Sequence, residues 1–114
     1  MASQIKQIIE TQQLGGSAAL LYQSPAFTTT QITALTATNT DSVTHAITLY
    51  IVPSGGTATA STLSTAARPI LAGGNYSGQN EYGQVLNPGD SIWGLADTAA
   101  KVNVMASGLQ ATTS

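Results

Sequence analysis

Residues 85–108 read Val-Leu-Asn-Pro-Gly-Asp-Ser-Ile-Trp-Gly-Leu-Ala-Asp-Thr-Ala-Ala-Lys-Val-Asn-Val-Met-Ala-Ser-Gly, and this stretch decides the fold. The run at 87–90 predicts a type II turn, because proline presets φ at the second position and glycine accepts a positive φ at the third. Alternating apolar residues then predict one strand over 91–96 and another over 102–107. With the polar segment 97–101 between them, these strands are expected to form a hairpin, which needs a larger sheet for stability.

Each of these two strands is predicted to have one buried face. In the first, Ile92 and Ala96 share a face with Gly94, whereas Trp93 and Leu95 lie on the opposite side. Side chains alternate between the two faces of a strand, so Trp93 and Leu95 would remain outside the core. We therefore predict that these two residues contact a partner.

Strand signals also occur upstream, where β-branched and apolar residues alternate between Gly, Pro and Asn turns. Leu35 breaks the alternation of its strand, which indicates a bulge or burial on both faces. The low-complexity residues 57–67 are predicted to form a long surface loop with a helical turn near 63–66. The further predicted strands are 18–22, 31–39, 46–52, 68–71, 75–76 and 82–86.

Seven or eight short strands without intervening long helices predict an all-β fold. The chain of 114 residues is the size of a single domain. We expect an antiparallel β-sandwich, jelly-roll-like, over residues 17–114, preceded by a short N-terminal arm over residues 1–16.

The N-terminal arm carries three isoleucines within five residues. Ile5, Ile8 and Ile9 have the i, i+3, i+4 spacing of one helix face, but isoleucine also favours strands, so both conformations stay open. Gly15 and Gly16 would form a flexible joint that lets the arm reach a neighbouring molecule. The alternative is that the isoleucines cover the open end of their own sandwich. The residues predicted to contact a partner are Ile5, Ile8, Ile9, Leu14, Trp93 and Leu95.

Charged residues are unusually rare in this chain. Asp, Glu, Lys and Arg make up 7% of the residues, against about 25% in typical soluble domains. A formal net charge of −2 gives no basic surface for nucleic acid or for anionic membrane lipids. A surface of Thr, Ser, Ala, Gly and Asn suits assembly, because interface centres are depleted in charge. The competing interpretation is a secreted or structural β-protein that uses threonine on its outer face.

No targeting pattern is visible in the sequence. The N-terminal residues lack a basic region followed by an apolar run, and no stretch approaches the about 18 apolar residues of a membrane span. The chain contains no cysteine, which excludes a disulfide framework and thiolate metal sites. The sequence therefore predicts a protein made in a cytoplasm in its mature form.

The sequence does not predict an enzyme. It contains one histidine, His45, and its five carboxylates are scattered singly. Asp41 lies four residues before His45, at a predicted turn where aspartate is common for backbone reasons. We expect a structural role for His45, no bound metal and no cofactor, because catalytic or metal sites need clustered partners.

Several segments together resemble small phage virion proteins. They are 21–25 (Leu-Tyr-Gln-Ser-Pro), 38–40 (Thr-Asn-Thr), 50–57 (Tyr-Ile-Val-Pro-Ser-Gly-Gly-Thr), 86–92 (Leu-Asn-Pro-Gly-Asp-Ser-Ile) and 102–108. The resemblance spans about residues 18–109. It implies a β-sandwich or jelly-roll module of a phage particle, of the kind found as capsid decoration (cement) proteins, minor head proteins, and tail or fibre parts.

From this resemblance we predict a non-enzymatic capsid decoration protein that binds the major capsid protein as a homotrimer. Its location would be the capsid surface of the virion, after assembly in the host cytoplasm. The alternatives are a tail, baseplate or head-fibre component, or a lectin-like module that stacks sugars on exposed aromatic residues. The candidate stacking residues are Tyr22, Tyr50, Tyr76, Tyr82 and Trp93.

Overall fold

The apolar faces of two antiparallel sheets pack against each other in the computed structural model, which describes residues 2–112. Alternating apolar residues explain this arrangement, because each strand gives one face to the core. In chain order the elements are β1 (Ala2–Gln13), β2 (Ala19–Gln23), β3 (Thr28–Asn39), β4 (His45–Val52), a 3₁₀ turn (Ala60–Thr62), β5 (Leu63–Ile70), β6 (Asn75–Tyr76), β7 (Val85–Leu86), β8 (Ser91–Ala96) and β9 (Val102–Thr112).

The strand order within the described residues is that of a jelly roll. The large sheet has the order β1-β9-β3-β6, and β7 also pairs with β3; the small sheet has the order β2-β8-β4-β5. Strands β6 and β7 both pair with β3 and together count as one interrupted strand. The result is a double sheet of eight strands, the arrangement of jelly rolls. The prediction of an all-β antiparallel sandwich is confirmed.

The core lies between the two sheets and is apolar. Ile92 and Ala96 of β8 are buried, as are Val102 and Val104 of β9, so the predicted alternation of both strands is confirmed. The predicted irregularity near Leu35 is a bulge, since the register of β3 against β9 shifts between Ile32 and Ala34. The larger fully buried side chains include Ile9, Leu14, Ile32, Leu35, Ile47, Leu49, Leu86 and Ile92.

The predicted hairpin of β8 and β9 is wrong. β8 pairs with β2 and β4 in the small sheet, whereas β9 pairs with β1 and β3 in the large sheet. Residues 97–101 therefore cross from one sheet to the other. An alternating pattern specifies only that each strand buries one face, and a crossing satisfies it as well as a hairpin does.

The N-terminal residues form a strand that belongs to the sandwich. β1 pairs with β9 from Ala2 opposite Thr112 to Gln13 opposite Asn103, with register shifts between Gln7 and Ile9 and between Ile9 and Gln12. Residues 2–13 are thus the edge strand of the large sheet and no separate arm, which corrects the predicted division into residues 1–16 and 17–114. Met1, Thr113 and Ser114, which these ranges include, lie outside the described residues.

The predicted surface loop at 57–67 is wrong in its second half. The 3₁₀ turn occupies Ala60–Thr62, and β5 begins at Leu63. The small residues of this segment are held as a strand by pairing with β4 and by hydroxyl contacts to a buried glutamate. Neither contact is visible from local sequence.

The predicted type II turn at residues 87–90 is confirmed. The Asp90 N–H donates to the Asn87 carbonyl at 2.9 Å, and Gly89 has a φ of +90°. The Asp90 carboxylate accepts the backbone N–H groups of Asn87 and Ser54, each at 2.9 Å. The turn is thereby joined to the segment that follows β4.

Candidate assembly surface

Four apolar side chains lie together on the outer face of the small sheet. Leu20 of β2 is directly opposite Trp93 of β8, and Trp93 is directly opposite Tyr50 of β4. Leu95 is two residues farther along β8 and therefore shares the face of Trp93. We call Leu20, Tyr50, Trp93 and Leu95 the outer apolar face.

The position of Trp93 follows from its neighbours in β8. Ile92 and Gly94 on either side are buried, so the indole between them points away from the core. A Cβ at Gly94 would lie 2.8 Å from Cδ2 of Leu49 and 3.0 Å from Cδ1 of Leu21. The glycine thus leaves the space beneath the sheet that the leucines of the two flanking strands occupy. The Trp93 Nε1–H donates to the Ser91 hydroxyl at 2.9 Å, which fixes the ring along its own strand.

The outer apolar face carries no charge. Leu20 is 47% exposed, and Tyr50, Trp93 and Leu95 are partly exposed. The cross-strand neighbour of Leu95 is Thr48, which is also uncharged. Trp and Tyr are enriched among residues that dominate binding energies, and charge is depleted at interface centres. This face can therefore bury apolar and aromatic surface against a partner.

The six residues predicted to contact a partner do not form one surface. Ile8, Ile9 and Leu14 lie in the core of their own chain, so they are not available for a partner, which corrects that part of the prediction. The register shift in β1 near Ile9 explains how two successive isoleucines can both be buried. Ile5 is 84% exposed, but it lies on β1 of the large sheet.

Trp93 and Leu95 do share a surface, and sequence reasoning missed how that surface continues. In residues 46–52, Tyr50 alternates with the apolar Leu49 and Ile51, which predicts an outward side chain, but this pattern gives no sign that β4 and β8 are neighbours. Leu20 lies in a short strand with a register shift before Tyr22, so alternation alone did not place it. Only the pairing of the strands joins Leu20 and Tyr50 to Trp93.

A cluster of titratable side chains lies at one end of the sandwich. Nδ1 of His45 lies 2.7 Å from Oδ1 of Asp97, and Nε2 lies 2.8 Å from Oδ2 of Asp41. His45 is 6% exposed. The sequence shows that Asp41 is near His45, but Asp97 is 52 residues away, and only the fold brings it to the ring. With a carboxylate at each ring nitrogen, the cluster can hold a proton firmly.

These contacts shift the pKa values of all three groups. The hydrogen bond to Asp41, followed by the bond to Asp97, raises the pKa of His45 above its ordinary value and outweighs the opposing effect of burial. The His45 ring, followed by the backbone N–H of Ser42, lowers the pKa of Asp41. Burial opposes ionisation of Asp97, but the Ala46 N–H and the His45 ring outweigh it and lower the pKa of Asp97.

A second polar cluster surrounds Glu81, which is fully buried. Its Oε2 accepts hydrogen bonds from the hydroxyls of Ser64 (2.6 Å) and Thr65 (2.7 Å), and its Oε1 accepts one from Tyr76 (2.9 Å). The Asn80 amide donates to the Ser64 carbonyl and to the Thr65 hydroxyl. These bonds attach residues 77–84 to β5, which is a structural role.

Within residues 2–112, no group of three or more His, Cys, Asp or Glu side chains is arranged to hold a metal ion. That part of the chain also has no helix of the length and apolar character needed to cross a membrane.

No protein-family model and no curated protein sequence matches the chain. Among solved structures, one similar chain comes from Bacillus endospore appendages, described as a novel family of disulfide-linked pili. It has a TM-score of 0.59 and 17% identity, and the match covers 98% of this chain and 89% of that one. A chain of infectious bursal disease virus, Gx strain, has a TM-score of 0.43 and 13% identity, covering 96% of this chain and 30% of that one. The first likeness is one of fold alone.

Proposed function

We propose that this protein is a non-enzymatic structural subunit of a phage virion that binds its partner through the outer apolar face. The observation that carries the proposal is the row formed by Leu20, Trp93 and Tyr50, which lie in register across three neighbouring strands and face away from the core.

The physical argument starts from the exposure of these residues. Leu20 is 47% exposed. Burial of apolar surface is favourable by about 25 cal/mol for each Å², so contact with a partner that covers Leu20 would be stabilising. Isolated surface leucines are common, whereas contiguous exposed apolar patches mark interaction sites. The low content of charged residues, 7%, reduces the charge desolvation that opposes association.

The finer assignment is a capsid decoration protein that binds the major capsid protein as a homotrimer on the capsid surface. It is supported by the resemblance of segments 86–92 and 102–108 to small phage virion proteins. Jelly rolls recur in viral capsid proteins, which agrees with this placement. The endospore-appendage protein is described as part of a pilus, so a similar fold occurs in a repeating assembly there. This supports a structural subunit, and it favours neither capsid nor fibre.

The test of location is immunogold labelling of purified phage particles with an antibody against this protein. Labels over the head surface are expected. Labels confined to the tail, baseplate or fibres would instead indicate the alternative function, a tail, baseplate or head-fibre component. If mild washing removes the protein from the particles, so that mass spectrometry no longer detects it in them, a virion function is contradicted.

The homotrimer is tested by light scattering, which should give a mass of three times the 11.6 kDa protomer.

A carbohydrate-binding module is the second candidate. Tyr50 and Trp93 lie opposite each other on one outward face, as sugar-stacking residues would. Retention on carbohydrate beads, lost on Trp93→Ala with the fold retained, would support this candidate. Binding to capsids that soluble sugars do not inhibit would instead support the structural subunit.

A further inference from the structure

Two crossings between the sheets meet at one end of the sandwich. Residues 40–44 connect β3 of the large sheet to β4 of the small sheet, and residues 97–101 connect β8 to β9 in the opposite direction. His45 is the first residue of β4, Asp41 lies in the first crossing, and Asp97 opens the second. The contacts of His45 therefore join one crossing to the other.

The geometry of His45 requires a proton on each ring nitrogen. A neutral imidazole has one N–H donor and one acceptor, whereas the imidazolium ion has two donors. Carboxylate oxygens lie 2.7 Å from Nδ1 and 2.8 Å from Nε2. In either neutral tautomer, one ring nitrogen would present a lone pair to a carboxylate oxygen. Because His45 is buried, water cannot readily fill the place of the missing proton.

Both carboxylates are fixed by backbone donors and cannot easily turn away. The second oxygen of Asp97 accepts the Ala46 N–H at 3.1 Å, and Oδ1 of Asp41 accepts the Ser42 N–H at 2.7 Å. These bonds favour the ionised form of each carboxyl group.

The other elements packed here complete the charge balance around His45. Lys101, in the second crossing, attracts the Asp41 carboxylate. On β5, the residue opposite His45 is Ile70, which is uncharged and buried. The buried Asn39 amide donates to the carbonyls of Val43 and Ile70, and so holds the first crossing against β5 without a titratable group.

We propose that Asp41, His45 and Asp97 form a proton clasp, which holds the two crossings together while His45 is protonated and loosens them when that proton is lost. The clasp is independent of the proposed function, because it makes no use of the outer apolar face.

The direction of the pH dependence follows from linkage. His45 has a pKa raised above its unfolded value of about 6.5, so its stabilising contribution is complete below about pH 6.5 and is lost as the pH rises through the folded pKa. Asp41 and Asp97 have lowered pKa values, so their contribution is present above about pH 4 and is lost as the pH falls further. The clasp is therefore closed in mildly acidic solution.

The direct test is an NMR titration of His45, whose signals are unambiguous because the chain has one histidine. The expected result is a pKa above 6.5 in the folded protein, with a decrease in Asp41→Asn and in Asp97→Asn. The protection of the amides in residues 40–44 and 97–101, measured relative to their intrinsic exchange rates at each pH, should fall across the same pH range. A His45 pKa at or below 6.5 would overturn the proposal. Amide protection in both crossings that shows no step at the pKa of His45 would overturn it as well.

Urea unfolding at several pH values provides the second measurement. The wild-type midpoint should fall between pH 6 and pH 9, whereas the midpoint of His45→Gln should be flat over this range. Glu10→Gln is the matched control, since it removes an exposed carboxyl group on β1 and should keep the wild-type slope. Equal pH slopes for wild type and a folded His45→Gln variant would contradict the clasp. If His45→Gln does not fold, the titrations of the two aspartate variants still decide the question.

Discussion

Tyr50 and Trp93 lie directly opposite each other on β4 and β8, and both side chains face away from the core of the sandwich. Each residue alone is a partly exposed aromatic of an ordinary kind. Their pairing places two aromatic residues at directly opposite positions of neighbouring strands, and Leu20 extends the row onto β2. The outer apolar face is thus a product of strand order, which explains why it is not evident from sequence.

Gly94 provides the first test of the packing beneath this face. In Gly94→Ala the new methyl group would lie 2.8 Å from Leu49 and 3.0 Å from Leu21, so one of the leucines must move. We expect a loss of stability of about 1–3 kcal/mol from overpacking, measured by urea unfolding. Gly15→Ala is the matched control, because the nearest atom to its Cβ would be 4.0 Å away. Equal stability of the two variants would show that β8 is packed differently.

The turn at residues 87–90 gives the second prediction. Gly89 has a φ of +90°, and a Cβ there would lie 2.5 Å from the Ser54 hydroxyl oxygen. Gly89→Val should therefore lower the melting temperature, with a cost of about 1–3 kcal/mol. Asn87→Ser should have little effect, because the exposed Asn87 contributes backbone groups to the turn. If calorimetry finds both variants equally tolerated, the turn type is incorrect.

The N-terminal strand gives the third prediction. Ile9 is 1% exposed and Ile5 is 84% exposed, although both lie on β1. Ile9→Ala should destabilise the protein by about 2–5 kcal/mol, whereas Ile5→Ala should remain within about 0.5 kcal/mol of wild type. Deletion of residues 1–14 should lower the melting temperature strongly, since it removes an edge strand and the buried Leu14. A truncated protein that melts like wild type would support the alternative, in which the N-terminal residues form an arm that is not part of the sandwich.

Glu81 provides the fourth prediction. In Glu81→Gln an NH₂ group replaces one of the two carboxylate oxygens, which accept hydrogen bonds from the hydroxyls of Ser64, Thr65 and Tyr76. At least one buried hydrogen bond should be lost, with a cost of about 1–3 kcal/mol, measured by urea unfolding. Glu10→Gln, at an exposed position of β1, should be neutral. A neutral result for Glu81→Gln would mean that the three hydroxyls can reverse their hydrogen bonds freely.

The local features of the fold could be predicted from sequence, whereas most long-range ones could not. Alternation identified the buried faces of β8 and β9, and the displaced Leu35 indicated the bulge in β3. Both signals depend on residues close in the chain. The pairing of β8 with β4 instead of β9 depends on which apolar faces meet across the core, and local periodicity carries no information about that.

The candidate sites show the same difference between local features, which the sequence predicts, and long-range contacts, which it does not. Trp93 and Leu95 were identified correctly as outward-facing, since their neighbours alternate with buried residues. The prediction that Ile8 and Ile9 contact a partner is wrong, because the local pattern does not show that β1 pairs with β9 and buries both residues in its own sandwich. His45 and Asp97 lie at the ends of different strands, so their contact could be found only from the fold.

The most direct test of the central claim compares one charged substitution on each outer face. Leu20, on the outer apolar face, is 47% exposed, and Met105, on β9 of the large sheet, is 43% exposed, so aspartate should be tolerated similarly in the free protein. The measurement is co-sedimentation of Leu20→Asp and Met105→Asp with phage capsids that lack this protein. We predict that Leu20→Asp weakens binding at least about tenfold, while Met105→Asp binds like wild type. Wild-type binding by a folded Leu20→Asp variant, or loss of binding by Met105→Asp alone, would contradict assembly through the small sheet.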